Sequence, residues 1–249
     1  MSILERRLIA LTTLVVLAMV GPASAQIPDE FENLKVLPKD ISKRDLVNIM
    51  RQFAGALGKR CNYCHVGENP ASLEGYDFAS DEKEPKRVAR IMMNMTGEIN
   101  NTHLPELKRD SVIRVRCITC HHGVDEPETI DNIVLAVVED DGLDAAIAKY
   151  REMREEYYGK ASYDFSAGPL NTVAESLAGK RDDVAGAITV MKMNIEFNPD
   201  QSFSHLFLGQ LYQSSGDKAA AIASVEKSLE IDPDNKWAKG MLEKIRASE

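Results

Sequence analysis

The chain carries four cysteines, and all of them fall in one frame that is used twice. "KRCNYCHVG" places Cys61 and Cys64 before His65, and "VRCITCHHG" places Cys117 and Cys120 before His121. Three chemistries use two thiols at this spacing. A zinc site would gather all four thiolates around one ion. A disulfide exchanger would set its pair ahead of a helix in a βαβ unit, and no such alternation surrounds either motif. Covalent haem attachment adds both thiols across the porphyrin vinyl groups and makes the adjacent histidine the proximal iron ligand. Only the last of these uses an imidazole at the same offset twice. The motifs therefore point to two haem c groups bound by Cys61, Cys64, Cys117 and Cys120, with His65 and His121 as metal ligands.

A haem that carries electrons ordinarily has a second axial ligand, Met or His, so neighbouring elements must supply one. Before the first motif, "DISKRDLVNIMRQFAGALGKRC" predicts a helix that Ser42 caps and Gly58 ends. Leu46, Ile49, Met50, Phe53 and Leu57 recur along it at helical spacing. Met50 lies on that apolar face, eleven residues before Cys61, where a methionine is either packing or a ligand. Before the second motif, "EPKRVARIMMNMTGEIN" predicts another helix with Pro85 in its first turn. Val88, Met92, Met95 and Ile99 share a stripe, while Met93 is about 100° away. Met92 and Met95 are the candidates there, and at most one can bind the iron.

The ends and the composition set the compartment. "MSILERRLIALTTLVVLAMVGPASAQ" has the charged start, apolar run and Ala-Ser-Ala end of a secretory signal peptide, residues 1–25, cleaved before Gln26. Export to the periplasm fits cysteines used for haem rather than left as free thiols. No later segment is apolar enough to cross a membrane. The 249-residue chain has a formal charge of −9, which becomes −10 once Glu5, Arg6 and Arg7 are removed. That balance argues against nucleic acid and allows a basic protein partner.

From Asn33 to Gly123 the chain resembles one half of the multihaem cytochrome subunit of photosynthetic reaction centres. The likeness rests on helix-then-CxxCH, repeated in order: "NLKVLPKDISKRDLVNIMRQFAGALGKRCNYCHVG", "FASDEKEPKRVARIMMNMTGEIN" and "VRCITCHHG". It implies Met50 as the sixth ligand of the first haem and Met92, rather than Met95, for the second. The family carries four attachment motifs and this chain two. One haem of the family takes a histidine from the missing half, and His103 in "NNTHLPEL" is the local substitute. The arginine common after the second motif in the family is His122 here, which points away from the iron toward the surface or a propionate.

From Asp140 the pattern becomes Ala-rich, helical and free of cysteine. "VAGAITVMKMNIEFNPD" and "KAAAIASVEKSLEIDPD" align, and Pro199 to Pro233 is a step of 34 residues, the tetratricopeptide period. Leu208, Gly209, Tyr212, Ala221 and Pro233 occupy signature positions, whereas the first copy has Glu175 in the place of Gly209. "GLDAAIAKYREMREEYY" and "KWAKGMLEKIRASE" read as flanking caps, and Gly168-Pro169 as a break before the repeats. His205 reads as packing. The expected chain is mainly α: a dihaem c-type cytochrome domain at 26–135, then a helical region at 136–249 with repeats at about 168–201 and 202–235. The expected function is one-electron transfer, with no bond-making chemistry, to a redox protein such as a membrane electron-transfer complex. A dihaem peroxidase or a haem-based redox or gas sensor would each need one open iron.

Overall fold

The computed structural model describes residues 27–69, 72–111 and 113–247. Among these residues every regular element is helical, apart from one isolated antiparallel bridge between Val66 and Asp77. The expected signal peptide lies outside the described residues. Two compact units divide the chain, Met1–Asp125 and Glu126–Glu249. The expected boundary at residue 135 falls inside a helix, Ile130–Asp141, whose Ile130 and Val134 are buried in the second unit's core.

In the first unit, α1 (Lys43–Leu57) starts where the Ser42 hydroxyl accepts from the Asp45 amide at 3.1 Å. It ends at Gly58, whose φ of 64° makes the left-handed turn that glycine tolerates. The first motif follows at once as the single turn α2 (Cys61–Cys64). Helix α3 (Glu84–Glu98) carries Pro85 in its first turn and runs on through a π-helical turn, Ile99–His103, and a short turn, Leu104–Glu106. The second motif is α4 (Cys117–His121). The packing is crosswise: α1 lies against α4, and α3 against α2. Among the described residues this unit buries few hydrophobic side chains, namely Leu46, Ala56 and Val124. Val88, Ile91, Met95, Leu107, Ile113 and Ile118 are exposed, Ile91 by 62%.

The second unit is a helical array. α5 (Ile130–Asp141) pairs with α6 (Leu143–Tyr157), α7 (Ala167–Lys180) with α8 (Val184–Phe197), and α9 (Ser202–Ser214) with α10 (Lys218–Ile231). α11 (Lys236–Ala247) closes the row against α10. The α7–α8 and α9–α10 hairpins have equivalent caps 34 residues apart: Asp183 accepts from the Gly186 amide and Asp217 from the Ala220 amide. Gly209 lets α9 and α10 meet, since a Cβ there would sit 2.6 Å from a Val225 methyl. "GLDAAIAKYREMREEYY" is not a lone cap, because α6 forms a full hairpin with α5 and so adds a layer. Gly168 and Pro169 do not break the chain either; they form the first turn of α7, where proline's missing N–H leaves nothing unsatisfied. His205 is buried, and its Nε2 lies 2.9 Å from the Pro199 carbonyl oxygen, as befits packing.

Charge divides along the same line. The residues after Asp125 hold 23 acidic and 13 basic side chains, a formal −10, which leaves the first unit at +1.

Candidate haem-binding sites

Each motif is a single helical turn entered from an extended arginine. Arg60 has φ −99° and ψ 171°, and Arg116 has φ −125° and ψ 165°. The turns close alike, with the Tyr63 amide donating to the Arg60 carbonyl at 3.0 Å and the Thr119 amide to the Arg116 carbonyl at 2.8 Å. Residues three apart share a helix face, so each turn presents two free thiols together. Burial raises the pKa of the Cys64 and Cys117 thiols, which favours their protonated form. Among the described residues, no three or more His, Cys, Asp or Glu side chains gather to hold one ion. The thiols are thus arranged as two pairs, which is the geometry of attachment rather than of a four-thiolate zinc site.

The turns leave differently. His65 is extended, at φ −113° and ψ 148°, and its amide donates to the Cys61 carbonyl at 2.9 Å. His121 stays helical, and His122 reverses the chain in the left-handed region at φ 49°. His122 is exposed.

At the second motif, Nδ1 of His121 lies 2.9 Å from the Val124 carbonyl oxygen. That bond places the proton on Nδ1 and leaves Nε2 with the lone pair a metal needs. Val124 is itself fixed, being buried beside Gly123, whose amide donates to the Ala56 carbonyl at the end of α1 at 2.9 Å. Gly58 completes this latch, because a Cβ there would sit 2.1 Å from the Gly123 carbonyl oxygen. On the other side Asn100, in the π-helical turn, pairs with Val115 as a strand would. Its amide donates to the Val115 carbonyl and accepts from the Val115 amide, both at 2.8 Å.

At the first motif, His65 is half-buried with its Nδ1 enclosed and without a hydrogen-bond partner. Burial is the main cause that pushes its pKa down to about 4; the charge of Lys86 adds to it, and the nearby Phe78 backbone opposes it only in part. The ring is therefore neutral at ordinary pH, as an iron ligand must be. Phe78 packs edge-on against it, with ring centres 5.1 Å apart. A loop doubled back through the Val66–Asp77 bridge delivers Phe78, and Gly67 lies against the Tyr76 ring at its base. The two motifs are joined through Asp125, which accepts from Tyr63 and from Lys59, both at 3.0 Å. Burial alone would raise the Asp125 pKa, but those two bonds hold it below the ordinary value.

The remaining sequence-derived residues fall in the same unit. Met50 on α1 and Met92 on α3 are half-buried, Met95 is 47% exposed, and His103 is exposed at the end of the π-helical turn. Two free thiols on one face, an imidazole behind each pair and half-exposed apolar helix faces fit haem c in chemistry and in polarity. Sequence reasoning did not find Asn100 or Asp125. The glycine that ends α1 was visible as a stop, but its close approach to Gly123 was not.

Comparison with known proteins agrees with this chemistry. Residues 9–183 match the family described as Photosynthetic reaction centre cytochrome C subunit, a match that runs through α7, and residues 204–235 match a tetratricopeptide repeat. Cytochrome c-554 of Chloroflexus aurantiacus is 34% identical over 84 residues, covering 33% of this chain and 18% of that protein. The photosynthetic reaction center cytochrome c subunit of Rubrivivax gelatinosus is 28% identical over 107 residues, covering 36% of this chain and 28% of its own length. The chain thus matches between 18% and 28% of the length of these two relatives. Among solved structures, the first TPR of Spaghetti (RPAP3) bound to an HSP90 peptide aligns with TM-score 0.33 and 17% identity, covering 47% of this chain and 87% of that one.

Proposed function

The chain belongs to the family of photosynthetic reaction centre cytochrome c subunits, and from that premise we propose that it is an exported dihaem c-type cytochrome that carries single electrons. One haem joins Cys61 and Cys64 with His65 as its proximal ligand; the other joins Cys117 and Cys120 with His121. The observation that carries this reading is the repeated turn: extended arginine, two thiols on one face, imidazole directly after. Bound haem supplies reversible one-electron chemistry at its iron. The chain's own residues orient the imidazoles, exclude water and hold the surrounding charge. Val124 sets the His121 tautomer, and Phe78 shields His65.

Met50 completes the first iron and Met92 the second, closing both to small molecules. This pairing rests on the family resemblance; each methionine-bearing helix packs against an attachment turn, α1 against the second and α3 against the first. Residues 1–25 direct the chain to the periplasm. The second unit serves as a docking module for a redox protein, such as a membrane electron-transfer complex, and its −10 charge favours a cationic surface on that partner. No helix among the described residues is long and apolar enough to cross a membrane.

The test is optical. Reduced and oxidised spectra of the exported protein, with and without carbon monoxide, are expected to show no shift on adding the gas and a near-infrared methionine-to-iron band. Met50→Ala and Met92→Ala should each remove part of that band and open one iron to carbon monoxide. A carbon monoxide shift in the unmodified protein would favour a peroxidase or sensor instead. If Met50→Ala opened the second haem rather than the first, the crosswise packing would extend to the ligands.

A further inference from the structure

A cluster of charges around the first attachment turn has no counterpart in the reading above. Asp81 sits at its centre. It accepts from Lys35 at 2.6 Å, from Asn33 at 2.9 Å and from Arg90 at 2.8 Å, with Lys86 at 3.5 Å. Lys86 in turn donates to the carbonyls of Phe78, Ala79 and Ser80, at 2.8, 3.0 and 2.5 Å. Those carbonyls belong to the segment that sets Phe78 against His65. Lys83 donates to the Asn62 carbonyl, inside the first Cys-x-x-Cys turn. Asp77 is the other carboxylate near Lys86, and its side chain is engaged by the Ala79 and Ser80 amides.

Lys35, Lys83, Lys86 and Arg90 therefore cluster with two carboxylates around the segment that sets Phe78 against His65. Lys86 and Arg90 keep only 12% and 14% of their side-chain surface exposed, so solvent screens them less than it would surface charges. Lys86 binds the segment that sets Phe78 against His65, and Lys83 binds the attachment turn itself, so their charges lie beside the imidazole. The same positive field disfavours the oxidised iron, which carries one more charge than the reduced iron.

We propose that this cluster tunes the first haem's potential: Lys83, Lys86 and Arg90 raise it, and Asp81 lowers it. The inference rests on a haem at Cys61, Cys64 and His65, and it makes the sign of a charge change predictable. Neutralising Asp81 leaves the cations opposed by Asp77 alone. A merely structural role predicts the reverse, because a loosened loop admits water and water favours the oxidised, more charged state.

The experiment is a spectroelectrochemical titration of the full, haem-loaded chain, resolving its two waves. Asp81→Asn should move one wave up and leave the other in place, Asp81→Glu should restore it, and Lys86→Met should move the same wave down. A downward shift in Asp81→Asn, an equal shift of both waves or no shift would overturn the inference. If Asp81→Asn fails to accumulate, Lys83→Met leaves every Asp81 bond intact and must still lower that wave. Peptide mapping of the unmodified protein separates the two failures, because no haem on Cys61 and Cys64 would sink the dihaem assignment itself.

Discussion

The two units hold themselves together by different means. The second unit closes its core with its own side chains: Tyr150, Leu170, Val173, Val190 and Met191 have no exposed surface. Three hairpins and a final helix stack so that each covers its neighbour's apolar face, which is how such arrays become stable. Among the described residues the first unit buries Leu46, Ala56 and Val124 and otherwise ties its segments by polar contacts, to backbone through Asn33, Lys86 and Asn100 and to side chains through Asp125. Its half-exposed apolar faces suit a large planar group that supplies apolar contact from outside the sequence. A chain that binds such a group puts its precision into orienting two turns, and a repeat array puts it into packing.

The largest effect should come from withholding haem. With Cys61, Cys64, Cys117 and Cys120 all changed to Ala, hydrogen exchange should show protection in α1 and α3 falling by at least about tenfold, with α7 to α10 unchanged. Equal loss in both units would mean that the array also depends on haem, and the contrast between them would fail.

Two glycines sharpen the contrast next. Gly58→Ala forces a residue with a Cβ to φ 64° and drives it to 2.1 Å from the Gly123 carbonyl. It should cost more than about 1 kcal/mol and be felt in the first unit alone. Gly209→Ala meets Val225 at 2.6 Å and should cost about 1–3 kcal/mol in the second unit alone. Thermal unfolding read at the haem band and in the far ultraviolet separates the two. A single transition shifted alike by both variants would contradict independent units.

Asn100→Ala removes both hydrogen bonds to Val115 and should cost about 1–3 kcal/mol. The loosened segment leads into Cys117, so the second haem's spectrum should broaden while the first stays sharp; a change at the first haem alone would contradict the clamp.

The smallest effect concerns acid. The Asp125 pKa lies below its ordinary 3.8 in the folded protein, so its contribution is complete above that value and is lost as pH falls through the lower, folded one. Asp125→Asn should therefore destabilise the first unit at neutral pH and matter progressively less in strong acid. A stability gap that widened on acidification would contradict the assignment.

Much of this was legible in the residues. The CxxCH frames, the Ser42 and Gly58 limits of α1, Pro85 at the start of α3 and the 34-residue step all follow from local rules of spacing and capping. The α5–α6 hairpin was not, because it lacks the signature glycine and proline and its helices keep no 34-residue register with the others. Gly168-Pro169 read as a break because the same two residues also suit a helix's first turn. The ties made by Asn100 and Lys86 link side chains to backbone outside their own helical turns, those of Asp125 link it to the Tyr63 and Lys59 side chains, and no periodicity marks such partners. The pairing of α1 with the second motif is likewise tertiary, since only the folded chain brings Ala56 to Gly123.

The most direct measurement is the intact mass of the exported protein under denaturing conditions. A mass equal to residues 26–249 plus two haems would match the proposed cytochrome in leader removal and cofactor count together. One haem, or none, would contradict it.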